Sequence, residues 1–183
     1  MRQEVEFSSF ILEMVSNLLK DKNLKVAEGK NILTDVTCIY ENDKFELIHG
    51  FSQTDIAIYK EVHYNMDLGK NSLIRFYGDK DINKGIFAVP YVVLELKTGD
   101  LTTDGIRSRD FVASRIKSMF PFTAYYFIAE NTRKEEKTLL RQGKSFTNYF
   151  ISKEQIDKDY FTRIFKNYIE PHINNLKAQL KIL

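Results

Sequence analysis

The most apolar stretch of the chain, IFAVPYVVLELK at residues 86–97, ends in a carboxylate and an ammonium. Burying Glu95 and Lys97 at the end of such a strand is costly unless the two groups are used. Strand alternation puts both on one face, about 6.6 Å apart at ~3.3 Å per residue. A third polar group interrupts another apolar run, TDIAIY, where Asp55 shares a face with Ala57 and Tyr59. If the two strands pair, Asp55 and Glu95 lie side by side. Two carboxylates converging at a sheet end make an oxygen-rich site for a hard divalent ion such as Mg²⁺, to which the Leu96 carbonyl can add a ligand. Lys97 beside such an ion would orient or deprotonate a water, or stabilise charge developing on a phosphate.

Other chemistry is poorly supplied. One cysteine, Cys38, excludes an internal disulfide and a multi-cysteine metal site, and reads as a small buried hydrophobe. His49, His63 and His172 have no metal-ligand spacing, and the chain lacks a phosphate-binding glycine loop and a serine-nucleophile motif. Tyr125 and Tyr126 read as core or edge residues of a strand before they read as base-stacking platforms.

The elements that must position these groups follow from periodicity. Phe7, Phe10, Ile11, Met14, Val15 and Leu18 recur at helical spacing and predict a helix over 4–20. Asn23 and Gly29 bracket a short strand, Leu24–Ala27, and 31–41 fits either a helix or a strand. Residues 45–49 and 54–59 predict two strands joined by a tight turn near Gly50, and 60–85 a hairpin or loop around Leu73–Tyr77. Val92, Val93 and Leu94 are apolar on both faces, as in a central strand. Pro90 argues for its start at Tyr91. A helix over 104–120, ended by Pro121, and a strand over 122–129 complete a β-α-β unit with a parallel crossover. Residues 132–142 read as helix, 146–151 as strand and 154–182 as helix broken at Pro171. The expected class is α/β, with a central mixed sheet flanked by helices, in a single domain spanning 1–183 whose helical extension lies at about 154–182.

A chain of 183 residues with 14 Phe and 10 Tyr has one core to build and ample material for it, which excludes disorder as the main state. No apolar run approaches the ~18 residues of a membrane span. The polar, acidic start MRQEVEFSSF does not read as a secretory signal, so a cytoplasmic location is expected. Net charge is +2, too mild to mark a nucleic-acid binder by itself. Cations do gather after the Glu95-x-Lys97 segment: Arg107, Arg109, Arg115 and Lys117 within 104–120, and Arg133, Lys134, Lys137, Arg141 and Lys144 within 131–146. Solvated helix faces would look the same.

Asp55, a spacer, Glu95-x-Lys97 on a hydrophobic strand, then a helix and a second hydrophobic strand resemble the PD-(D/E)xK nuclease superfamily over about residues 4–130. That superfamily includes restriction endonucleases, junction resolvases and repair exonucleases. The resemblance implies a restriction-endonuclease-like core in which Asp55 and Glu95 bind Mg²⁺, with Mn²⁺ as a substitute, and Lys97 serves the attacking water. Thr54 stands where that motif often has proline, and residues 56–94 form a longer spacer than a simple hairpin needs. Asp67 and Asp79 are rivals to Asp55, outside any apolar strand run.

Members often place a first-helix glutamate at the site. At 100° per residue, Glu4 falls about 50° from the centre of the apolar face, Glu6 about 110° and Glu13 about 130°. Glu4 is therefore the choice, with Glu6 the fallback. Arg109, on the apolar face near the start of the following helix, either contacts a phosphate or forms a salt bridge with Asp104 or Asp110. Arg107 and Arg115 read as solvated.

The implied function is a Mg²⁺-dependent DNA endonuclease of a restriction or other defence system. Segments 60–86 and 131–146 would be its DNA-contacting additions. Cutting both strands with one site per chain would call for a homodimer, and a larger restriction or defence complex is a further expected setting. The alternatives are a non-catalytic or partner-dependent DNA-binding subunit with the same fold, and a structure-specific repair or recombination nuclease.

Overall fold

A computed structural model describes residues 2–21, 23–41, 44–63, 86–132 and 141–180. The elements run α1 (Glu4–Leu18), β1 (Lys25–Glu41), β2 (Lys44–His63), β3 (Ile86–Thr98), α2 (Thr103–Met119), β4 (Ala124–Glu130), β5 (Asn148–Ile151), α3 (Lys158–Ile164), a π-helical turn (Phe165–Ile169) and α4 (Glu170–Leu180). The five strands form one sheet in sequence order. β1, β2 and β3 pair antiparallel, and β3, β4 and β5 pair parallel. The molecule is therefore an α/β protein with a mixed sheet flanked by helices.

Strand alternation builds two cores from the two faces. Ile56, Ile58, Val92, Leu94, Leu96, Tyr126 and Ile128 pack against Phe7, Ile11 and Val15 of α1 and against Phe161, Phe165, Ile169 and Ile173. Ala57, Tyr59, Val93, Tyr125, Phe127 and Ala129 face Ile106, Ala113 and Ile116 of α2. The C-terminal helices thus form part of one core layer. Covering both faces of β3 and β4 accounts for their continuous apolar runs.

Several expectations change. The ambiguous 31–41 segment and Leu24–Ala27 merge into β1, which passes through Gly29 at a positive φ of 62°. No turn forms at Gly50, which sits inside β2 opposite Asp35. A Cβ there would collide with the Asp35 carboxylate, so the glycine serves a close cross-strand approach. The central strand does not begin at Tyr91 either, since β3 runs from Ile86 through Pro90. The β2–β3 register shifts at Ile58/Tyr59, where Ile58 pairs with Val92 and Tyr59 with Pro90, so Tyr91 is the extra residue of a bulge that carries the ladder past the proline. The regular α geometry near the C-terminus breaks before Pro171, not at it. Glu170 N–H bonds back to Phe165 C=O, five residues away, and this wider turn makes room for the proline ring that follows. Cys38 is exposed on β1 and not buried. The Leu73–Tyr77 feature and most of the 132–142 helix lie outside the described residues, as do Asp67 and Asp79.

Among the described residues no helix is long and apolar enough to cross a membrane.

Candidate functional site

The β2–β3 ladder pairs Ile56 with Leu94 and Ala57 with Val93, so the next step sets Asp55 level with Glu95. Asp55 turns its carboxylate across the seam, where Oδ2 accepts the Leu96 N–H at 2.7 Å. Alternation from Val93 places Glu95 and Lys97 on the α2 side of the sheet. Asp55, Glu95, Leu96 and Lys97 are thus brought together by one strand pair.

Two helices complete the cluster. Glu4, in the first turn of α1, meets Lys97 with Oε2 2.6 Å from Nζ. Arg109 of α2 sets Nε 2.5 Å from Glu95 Oε1 and Nη2 3.9 Å from Glu4 Oε1. The expected partners of Arg109, Asp104 and Asp110, are not the ones it takes. Asp110 instead accepts the Ser145 N–H at 2.6 Å. Glu6, the alternative to Glu4, caps its own helix by accepting the Gln3 N–H at 2.9 Å, and Glu13 is exposed. Arg115, expected to be solvated, pairs with Asp35 of β1. Arg107 is exposed and donates to Gln142 Oε1 at 2.8 Å.

Sequence reasoning missed two supports. The Tyr125 hydroxyl donates to Glu95 Oε2 at 2.7 Å. In the parallel β3–β4 register Tyr125 lies opposite Val93, hence on Glu95's face. The available signal was a phenol on an inward-facing position, since a buried hydroxyl needs a partner. The second support is Arg2, whose Nη2 and Nε lie 2.5 and 3.1 Å from the two carboxylate oxygens of fully buried Glu130. The Glu130 carboxylate also accepts the Ile156 N–H. This clamp docks the start of α1 on the end of β4, and it anchors the turn that carries Glu4. No local pattern announces a contact spanning 128 residues.

Glu95 is the buried member of the site, and Asp55, Glu95 and Glu4 bring three carboxylates to it against the cations Lys97 and Arg109. Glu95 is 8% exposed. Burial first, and the neighbouring Asp55 charge second, push its carboxyl up to about 7, against the opposing pull of Arg109 and the Tyr125 hydrogen bond. Burial also raises Asp55, although the Leu96 N–H and Arg109 favour its ionised form. The Tyr125 phenol is pushed well above its ordinary value by burial and by Glu95.

Among the described residues no group of three or more His, Cys, Asp and Glu is placed to hold a metal ion. The donor set is two carboxylates and a backbone carbonyl. It suits Mg²⁺, which typically takes one or two protein carboxylates and fills its remaining positions with water and phosphate oxygens. The raised proton affinity of the carboxylate pair is what a bound cation would relieve. Beside the cluster lies a cavity of about 240 Å³ lined by Lys97, Asp100, Leu101, Thr102, Gly105, Ile106, Arg109 and Phe127.

No protein-family model matches the chain, and no curated protein matches it.

Proposed function

We infer that this chain is a Mg²⁺-dependent DNA endonuclease with a restriction-endonuclease-like core, acting in a restriction or defence system. The observation that carries the reading is the convergence of Asp55 and Glu95 across the β2–β3 seam, with Lys97 on the same face as Glu95. Asp55, Glu95 and the Leu96 carbonyl would hold the ion. When bound, Mg²⁺ supplies positive charge beside the phosphate and lowers the pKa of a coordinated water.

The chain's own groups divide the remaining work. Lys97 orients the attacking water and offers positive charge to the phosphate, while Glu4 holds the ammonium in place. Arg109 reaches the same space from α2 and steadies a phosphate oxygen. Tyr125 fixes the Glu95 carboxylate from β4. Hydrolysis forms a bond from the water oxygen to phosphorus and breaks one phosphorus–oxygen ester bond. The water proton leaves to a base, and the departing oxygen is protonated. Cutting both strands of a duplex calls for a second copy of the chain.

The test is cleavage of supercoiled plasmid, linear duplex and branched DNA with Mg²⁺ or Mn²⁺, beside a Lys97→Ala control. Discrete metal-dependent cutting that the substitution abolishes supports the reading. Folded, metal-supplied protein that cuts none of the three overturns it.

A further inference from the structure

We propose that the cavity beside Lys97 and Arg109 takes a single unstacked nucleotide of the strand being cut, base inward, so that the substrate is DNA with unpaired or frayed nucleotides. This rests on the nuclease reading above and specifies its substrate.

Size comes first. At about 240 Å³ the cavity exceeds the ~150 Å³ of an engineered apolar cavity that binds benzene, so it is too large for a lone ion and large enough for one flat ring. It falls below the ~300–1,000 Å³ of sites for larger ligands. Chemistry comes second. Leu101, Ile106 and Phe127 are nearly fully buried and give the cavity an apolar wall, with Phe127 stacked on Phe146 behind it. Asp100 and Thr102 offer oxygen acceptors on the rim. Lys97 and Arg109 reach it from the side where they meet Glu4 and Glu95. A ring in the interior with its phosphate toward those cations matches this polarity, whereas a bare anion would leave the apolar wall unused.

Gly105 is the third observation. It occupies the first turn of α2 and lines the cavity. A Cβ there would stand 2.9 Å from Thr102 Oγ1 and 3.8 Å from Arg109 Nη1, at the cavity wall. The Gly105 N–H is already taken by Thr102 Oγ1, so the cavity does not depend on free amides of the helix end. Gly105 thus adds no side chain to the cavity wall. Moving a base out of a duplex stack is unfavourable, and least so where the base is mismatched or already single-stranded.

The experiment uses the full chain and oligonucleotides with 2-aminopurine beside the cut, with Ca²⁺ replacing Mg²⁺ to keep the strand whole. Binding should raise 2-aminopurine fluorescence several-fold at one position. In Mg²⁺, a flap or single-stranded end should be cut at least about tenfold faster than unbroken duplex. Gly105→Leu should abolish both the fluorescence rise and the preference, with its melting midpoint confirming the fold. Asp100→Tyr fills the same space from an exposed position and should act likewise, should Gly105→Leu fail to fold. Equal cutting of all substrates, no fluorescence change and no effect of either substitution would overturn the pocket and leave the nuclease standing. Failure to bind or cut any DNA would overturn both.

Discussion

Glu4 and Lys97 meet at 2.6 Å although 93 positions separate them in the chain. Their contact joins the first turn of the first helix to the end of the central strand, and with it the two halves of the candidate site. The pair is only part-buried, its side chains 44% and 30% exposed, so its value lies in orientation more than in stability. Lys97→Ala should lower metal-dependent cleavage by about 10²–10⁴-fold while changing unfolding free energy by no more than about 1 kcal/mol. Single-turnover rates beside urea titrations would check this. A comparable loss of stability and activity would make Lys97 a structural residue.

Glu95 should make stability fall as pH rises. Its carboxyl binds a proton more tightly in the folded chain, at about 7 against an ordinary 4.5. Below 4.5 both states are protonated and the group is neutral in the balance. Between 4.5 and 7 the unfolded state ionises first and is favoured, up to about 3 kcal/mol by pH 8. Glu95→Gln should flatten that slope while abolishing cleavage. Denaturation at pH 5, 6, 7 and 8 decides it, and an unchanged slope in the variant would assign the pH dependence elsewhere.

Tyr125→Phe removes the hydroxyl that favours the ionised Glu95. Loss of a hydrogen bond to a charged acceptor should cost about 1.5–3 kcal/mol at pH 8, and less at pH 5 where the carboxyl is protonated. The Glu95 titration should also move further upward. Carbon-13 NMR of the glutamate carboxyls would read that shift directly.

Divalent ions should stabilise the folded chain through Asp55 and Glu95. At a hundredfold excess over Kd, mass action gives about 2.7 kcal/mol, and the effect should shrink as pH falls below 7 and protons compete for the carboxylates. Asp55→Asn should remove most of the rise in melting midpoint caused by Mn²⁺. An equal rise in that variant would place the ion elsewhere.

Arg2→Ala leaves the fully buried Glu130 carboxylate without its cation. Stripping one partner from a buried pair should cost about 3–5 kcal/mol, a loss visible as a lower urea midpoint. The same substitution should slow cleavage in the surviving folded fraction, because the turn carrying Glu4 is no longer docked. A fully active folded fraction would show that α1 docks without the clamp.

Local chemistry already carried much of this arrangement. Alternation put Glu95 and Lys97 on one face, the apolar runs marked β3 and β4 as buried strands, and the 100° helical step singled out Glu4 over Glu6 and Glu13. These are consequences of backbone period, which a chain expresses without knowing its partners. Arg109 was harder to read, because Asp104 and Asp110 are near it in sequence while Glu95 and Glu4 become neighbours only when α2 packs back on the sheet. Gly50 looked like a turn for a similar reason. Glycine answers both a bend and a close approach, and only the register opposite Asp35 distinguishes them.

The sequence by itself determined which residues carry charge into apolar strands and which faces those strands and helices present. Tertiary structure decided who meets whom: Asp55 with the Leu96 amide, Arg109 with Glu95, Tyr125 beneath the carboxylate, Arg2 on Glu130. The division follows from the range of the forces. Periodicity is set by neighbouring peptide units, whereas desolvation and ion pairing depend on every element packed around a group.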